Sequence, residues 1–167
     1  VAVAKPLASS FKSTITPAEM AEYLRLNSDG DPADDLYDYA LDLHKQNKLD
    51  DAIVSYQQVL KMKSTNPEVY LNLAIAYKQK NDVQQAIKTL QDAKLKFPSN
   101  KQILDNLKSF TEEVASTKID EAAKLYNSTN YTKALEEVYL SVQPATFDSL
   151  CGAGACYKSM DNTAKAI

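Results

Sequence analysis

The sequence predicts an all-α protein, a right-handed α-solenoid of stacked antiparallel helix hairpins with an extended helix in its middle. Three observations predict it. Glycine is scarce, three residues in 167, where a β-rich chain of that length needs more turn glycines. Ala, Leu, Lys, Gln and Glu, all good helix formers, are frequent. Third, a spaced pattern recurs: Ala40, Leu43, Ala52 and Ile53 return at identical offsets as Ala74, Tyr77, Ala86 and Ile87. They return again as Ala122, Leu125, Ala134 and Leu135, and as Gly154, Tyr157, Ala166 and Ile167.

Taken in order, residues 1–14 are Ser-, Ala- and Lys-rich without periodicity and read as a tail. Thr16-Pro17-Ala18-Glu19 then spells an N-cap, a proline at the first helical position and a capping-box glutamate. A short helix over 17–26 follows, with Met20, Tyr23 and Leu24 on one face, so 1–31 is a tail plus a capping helix. Asn27-Ser28-Asp29-Gly30-Asp31 is Asp-rich but is no calcium loop. Its twelfth position is Asp38 in place of a bidentate Glu, and Pro32 and Ala33 interrupt the ligand series.

The repeat domain spans 32–167, with units at about 33–66, 67–100, 101–146 and 147–167. Paired helices are expected at 32–46 and 49–63, then at 67–80 and 83–97. Polar breakers mark the turns: Gln46-Asn47-Lys48, Lys80-Asn81-Asp82, Ser128-Thr129-Asn130 and Met160-Asp161-Asn162. Small residues on both helices let the axes approach, and the large residues fill the gaps. One hairpin cannot bury its own apolar face, so units stack.

The spacing has one irregularity. The Ala markers lie 34 apart from Ala52 to Ala86, 48 apart to Ala134 and 32 apart to Ala166. Fourteen extra residues amount to nearly four helical turns and rotate the face by only ~40°. No Pro or Gly falls within 101–126, and apolar residues continue at Ile103, Leu107, Phe110, Val114, Ile119, Ala122 and Leu125. A long helix over 101–126 is the reading, with a break at Ser116-Thr117 as the alternative. Helices over 131–141 and about 147–160 follow. The chain begins at Val1 and stops at the Ala-Ile marker of the last unit, so the native protein is expected to continue.

Composition excludes several function classes. The formal net charge is −3, Arg25 is the sole arginine, and lysines are scattered, so no basic face for nucleic acid is expected. No stretch reaches the roughly 18 apolar residues of a membrane span. His44 is the single histidine, and a solenoid keeps it away from Cys151 and Cys156. It reads as a solvated or satisfied side chain. The adjacent carboxylates Asp34-Asp35, Glu112-Glu113 and Glu136-Glu137 diverge by about 100° on a helix and form no acid/base pair. Gly152-Ala153-Gly154 follows no strand, so it reads as a place of close helix packing and not as a phosphate loop. No catalytic residue, cofactor or metal is expected. The cysteines, about 140° apart on a helix, read as free thiols. Free thiols favour the cytoplasm, whereas Val1-Ala2-Val3-Ala4 is what the end of a signal or anchor segment looks like, and the compartment stays open.

The marker pattern resembles the tetratricopeptide repeat family. Leu36 and Tyr70 stand at the large position of the first helix, Asn81-Asp82 at the polar turn and Pro98 at the closing proline. Ser64 replaces that proline in the first copy, and Trp is absent. The resemblance covers about 33–167 and implies a scaffold that binds a peptide or partner protein in a concave groove. The groove residues it implies are Asp34, Tyr37, Asp38, Leu41 and His44, then Leu71, Asn72, Ile75 and Lys78, then Ile119, Asp120, Ala123 and Tyr126. One subset of the family clamps acidic chaperone tails with Lys, Asn and Arg. Here Tyr37 and Leu41 occupy its first two places, and Ser116 and Asp120, or Gln102 and Asn106, its last two; only Asn72 matches. The alternative function is a regulatory or self-assembly segment of a larger enzyme. Self-association through 147–167 is expected if Leu150, Ala153, Gly154 and Tyr157 lack a covering helix.

Overall fold

The structure, a computed structural model, describes residues 15–62, 65–135, 142, 151–156 and 158–160. All regular elements among them are helical. They are α1 (Pro17–Asn27), α2 (Pro32–Lys45), α3 (Leu49–Met62), α4 (Pro67–Gln79), α5 (Val83–Lys96), α6 (Lys101–Asn127) and a turn, α7 (Tyr131–Lys133). Residues 151–156 and 158–160 are helical too. The chain divides into two compact units, one ending at Leu107 and one beginning at Lys108.

In the first unit the helices pack sequentially: α2 on α3, α3 on α4, α4 on α5, with α1 laid against α2 and α3. Side-chain caps set the starts. The capping box is made: Glu19 N donates to Thr16 Oγ1 at 3.3 Å and Thr16 N to Glu19 Oε2 at 2.9 Å. Asp31, Asn66 and Asp82 cap α2, α4 and α5 by accepting from Ala33, Glu68 and Gln85 N–H.

The helix ends repeat as faithfully as the starts. Among the described residues Asn47, Asn81 and Thr129 are left-handed, at φ 58°, 63° and 66°, and each lies five residues before a marker Ala. After each, the chain doubles back in one hydrogen-bond pattern. Asn47 N donates to His44 O and Lys48 N to Leu43 O; Asn81 N donates to Lys78 O and Asp82 N to Tyr77 O. Thr129 N and Asn130 N repeat it onto Tyr126 O and Leu125 O. This is a Schellman closure, which satisfies carbonyls the helix leaves open.

The marker alanines do what the spacing requires. Ala40, Ala52, Ala74, Ala86, Ala122 and Ala134 are all 0% exposed. Ala40 and Ala52 share one core cluster with Met20, Leu36, Leu43, Tyr56, Val59, Val69 and Leu73. Each fully buried side chain of this size contributes about 1.5–3 kcal/mol relative to exposure.

Helix α6 runs unbroken through Ser116 and Thr117. The Thr117 hydroxyl donates to Glu113 O at 2.9 Å, so it is satisfied within the helix without diverting the chain. The alternative of a break there is therefore rejected. Ile103, Phe110, Ala115 and Ala122 are its buried positions.

In the second unit Ala122, Ala134, Leu135, Ala153 and Cys156 form a cluster, flanked by Ile119, Leu125, Tyr126, Tyr131 and Met160. One expectation is corrected here. Gly154 is exposed, and a Cβ built on it would meet nothing within 4 Å. Close packing does not require glycine there; Ala153 and Cys156 carry the buried face of that helix. Ser64, Phe147, Leu150 and Tyr157 lie outside the described residues, as does most of the stretch expected to self-associate.

Candidate functional site

The face shared by α2 and α4 gathers most of the residues nominated from the sequence. On α2, Asp34, Tyr37, Asp38, Leu41 and His44 follow helical spacing down one side; on α4, Leu71, Asn72, Ile75 and Lys78 do the same. Tyr37, Leu41 and His44 are half-buried, as are Asn72, Ile75 and Lys78, whereas Leu71 is buried and Asp34 and Asp38 are exposed.

Two cross-links fix this face. Asn72 Nδ2 donates to Tyr37 Oη at 2.7 Å. Seven residues along each helix, His44 Nε2 meets Gln79 Oε1 at 2.9 Å, while its Nδ1 meets Tyr56 Oη at 3.1 Å. Gln79 Oε1 accepts from Nε2–H, and Nδ1 and the Tyr56 hydroxyl hydrogen-bond to each other, so both ring nitrogens are satisfied. His44 thus ties α2, α3 and α4 together and is spent on structure. Tyr56 is fully buried, with its ring centroid 6.0 Å from Tyr37 and 5.9 Å from His44.

Electrostatically the face is acidic. Burial raises the Tyr37 hydroxyl pKa above the ordinary tyrosine range, the Asn72 hydrogen bond lowers it, and the Glu68 and Asp38 carboxylates raise it. Both carboxylates therefore act on one hydroxyl that is itself held by Asn72.

Beside this, α4 and the first turns of α6 enclose an open pocket of about 290 Å³, lined by Glu68, Leu71, Asn72, Ile75, Gln102 and Asn106. Leu71 and Ile75 supply apolar wall; the other four supply one carboxylate and three carboxamides. Asn106 Nδ2 donates to Gln102 O at 2.8 Å, which leaves the Asn106 carbonyl oxygen for other donors.

Ile119 and Tyr126, nominated as the third set, lie in the second unit with Asp120 and Ala123. Ile119 packs against the apolar cluster there. Tyr126 packs against Tyr131 with ring centroids 5.1 Å apart and the planes tilted by 57°, and its hydroxyl lies 2.9 Å from Ser159 Oγ. The pocket on α4 is completed instead by Gln102 and Asn106. Their signal was present as a plain period of 34: Asp34, Glu68 and Gln102 form one column, Asp38, Asn72 and Asn106 another. Following the Ala markers across the 48-residue step led past them to Asp120 and Ala123.

Among the described residues no group of three or more His, Cys, Asp or Glu is placed to hold a metal ion, and no helix is long and apolar enough to cross a membrane. Residues 43–109 match the family model described as tetratricopeptide repeat. No curated protein matches the chain.

Proposed function

We propose that this chain binds a peptide or partner protein along the α2–α4–α6 face, since residues 43–109 match the tetratricopeptide repeat, generally a protein–protein interaction module. No catalytic domain is identified in the chain. The observation that carries the proposal is the pocket at Glu68, Leu71, Asn72, Ile75, Gln102 and Asn106. It combines apolar wall with amides that both donate and accept, which suits a peptide backbone and its side chains together. The Tyr37–Asn72 and His44–Gln79 cross-links hold two walls before any partner arrives, which lowers the ordering cost of binding.

The test is affinity capture from the native extract with three baits. Wild type and Leu95→Ser, altered at an exposed residue on α5, should retain the same partner. The Gln102→Ala/Asn106→Ala double variant should lose it with its melting temperature unchanged. Undiminished capture by the double variant would move the working surface elsewhere on the chain.

A further inference from the structure

Resting on that reading, we infer that the pocket between α4 and α6 takes a lysine side chain of the bound peptide, its aliphatic stem along Ile75 and Leu71 and its ammonium at Glu68. The hydrogen-bond inventory of the pocket carries the inference. Asn72 Nδ2 donates to Tyr37 Oη at 2.7 Å, and Asn106 Nδ2 donates to Gln102 O at 2.8 Å. Both lining asparagines therefore turn their nitrogens to oxygens of the protein, and these bonds fix which end of each amide is which. Their carbonyl oxygens are left for a ligand. Glu68 adds a carboxylate, which only accepts. Glu68 forms no ion pair among the described residues, and no lysine or arginine lines the pocket.

The order of groups along α4 suits that occupant. Glu68, Leu71, Asn72 and Ile75 follow helical spacing down one face, and Ile75 stands about 10 Å beyond Glu68 along the axis. Leu71 is buried and Ile75 half-buried, whereas Glu68 and Gln102 are exposed. The pocket thus runs from an apolar wall to a hydrated carboxylate. A lysine side chain has the same order, an apolar stem and then a cation, and it covers apolar surface with the first while keeping the second in water. Its ammonium carries three N–H donors and no acceptor, which matches one carboxylate and two amide oxygens. A ligand carboxylate would meet the same atoms as repulsion. An uncharged side chain of equal length gains the apolar wall alone.

The experiment is selection of random heptapeptides displayed on phage against the whole chain, followed by fluorescence anisotropy of the selected peptides. Wild type should select peptides that share one lysine. Replacing that lysine by norleucine, which keeps the stem, should weaken binding by about two- to fivefold, the scale of an exposed charge pair. Raised salt should shrink the difference. Glu68→Gln should weaken the lysine peptides by about the same factor and leave the norleucine versions within about twofold. Gln102→Glu, which adds a second carboxylate to the pocket, should strengthen the lysine peptides by about two- to fivefold. Asn66 keeps its cap on α4 in the Glu68→Gln variant, and melting temperatures of both variants check the fold. Selected peptides without a shared lysine, or a lysine preference that neither variant moves, would overturn the lysine site and leave the peptide groove standing. Selection of no peptide, or of peptides that the Gln102→Ala/Asn106→Ala variant binds as tightly as wild type, would overturn both.

Discussion

The hydrogen bond from Asn72 Nδ2 to Tyr37 Oη should be measurable as a coupling energy between α2 and α4. Tyr37→Phe deletes the hydroxyl and keeps the ring against Tyr56, 6.0 Å between centroids. Asn72→Ala deletes the amide. A neutral hydrogen bond contributes about 0.5–1.5 kcal/mol net, and here both partners are half-buried, so water partly replaces what is lost. Each single variant should therefore cost about 0.5–1 kcal/mol, Asn72→Ala more because it also strips half-buried side-chain contacts. The double variant should cost less than the sum, with a coupling of about 0.5–1 kcal/mol. Urea unfolding of the four proteins, followed by far-ultraviolet circular dichroism, supplies the cycle. A coupling indistinguishable from zero would mean that the bond does not hold the two helices, and the claim of a preorganised groove would go with it. The same number cautions against reading Asn72→Ala as a pure binding variant, which is why the capture experiment uses Gln102 and Asn106.

Three further outcomes are expected. Ala52→Leu and Ala86→Leu, at positions 0% exposed where two helices meet, should each destabilise by about 1–3 kcal/mol in urea unfolding; unchanged midpoints would contradict the repeat register. Thr129→Asn should stabilise by about 0.5–1 kcal/mol, because Thr129 is β-branched at φ 66° where the equivalent turns use Asn47 and Asn81; a lower melting temperature would refute the strain argument. At alkaline pH stability should fall. Burial is the first cause raising the Tyr37, Tyr39 and Tyr56 pKa values, so the folded state favours the neutral phenols. That stability is fully present below the ordinary tyrosine pKa of about 10 and is lost as pH climbs toward the folded values. Urea midpoints at pH 8 and above pH 10 should show the loss, and Tyr56→Phe should reduce it; a flat profile would contradict the assigned burial.

The local elements were determined by the sequence because their causes are local. Thr16 and Glu19 cap α1, Asp31 and Asn66 precede prolines that can only begin a helix, and Asn47 and Asn81 tolerate the left-handed turn. The alanine spacing follows from the distance at which two helices can pack, so it too is written in the chain, and every described marker alanine is buried. What needed the tertiary structure were pairings between residues far apart along the chain. Nothing in the sequence says that Asn72 donates a hydrogen bond to Tyr37 or that His44 spends both nitrogens on Tyr56 and Gln79, and the sequence offered two registers for the third set, between which the pocket of Glu68 with Gln102 and Asn106 decided. The fourth marker shows the same limit from the other side. Its spacing matched, yet Gly154 faces open space while Ala153 and Cys156 are buried, because which side of a helix is covered depends on what packs against it, and no spacing within the helix states that.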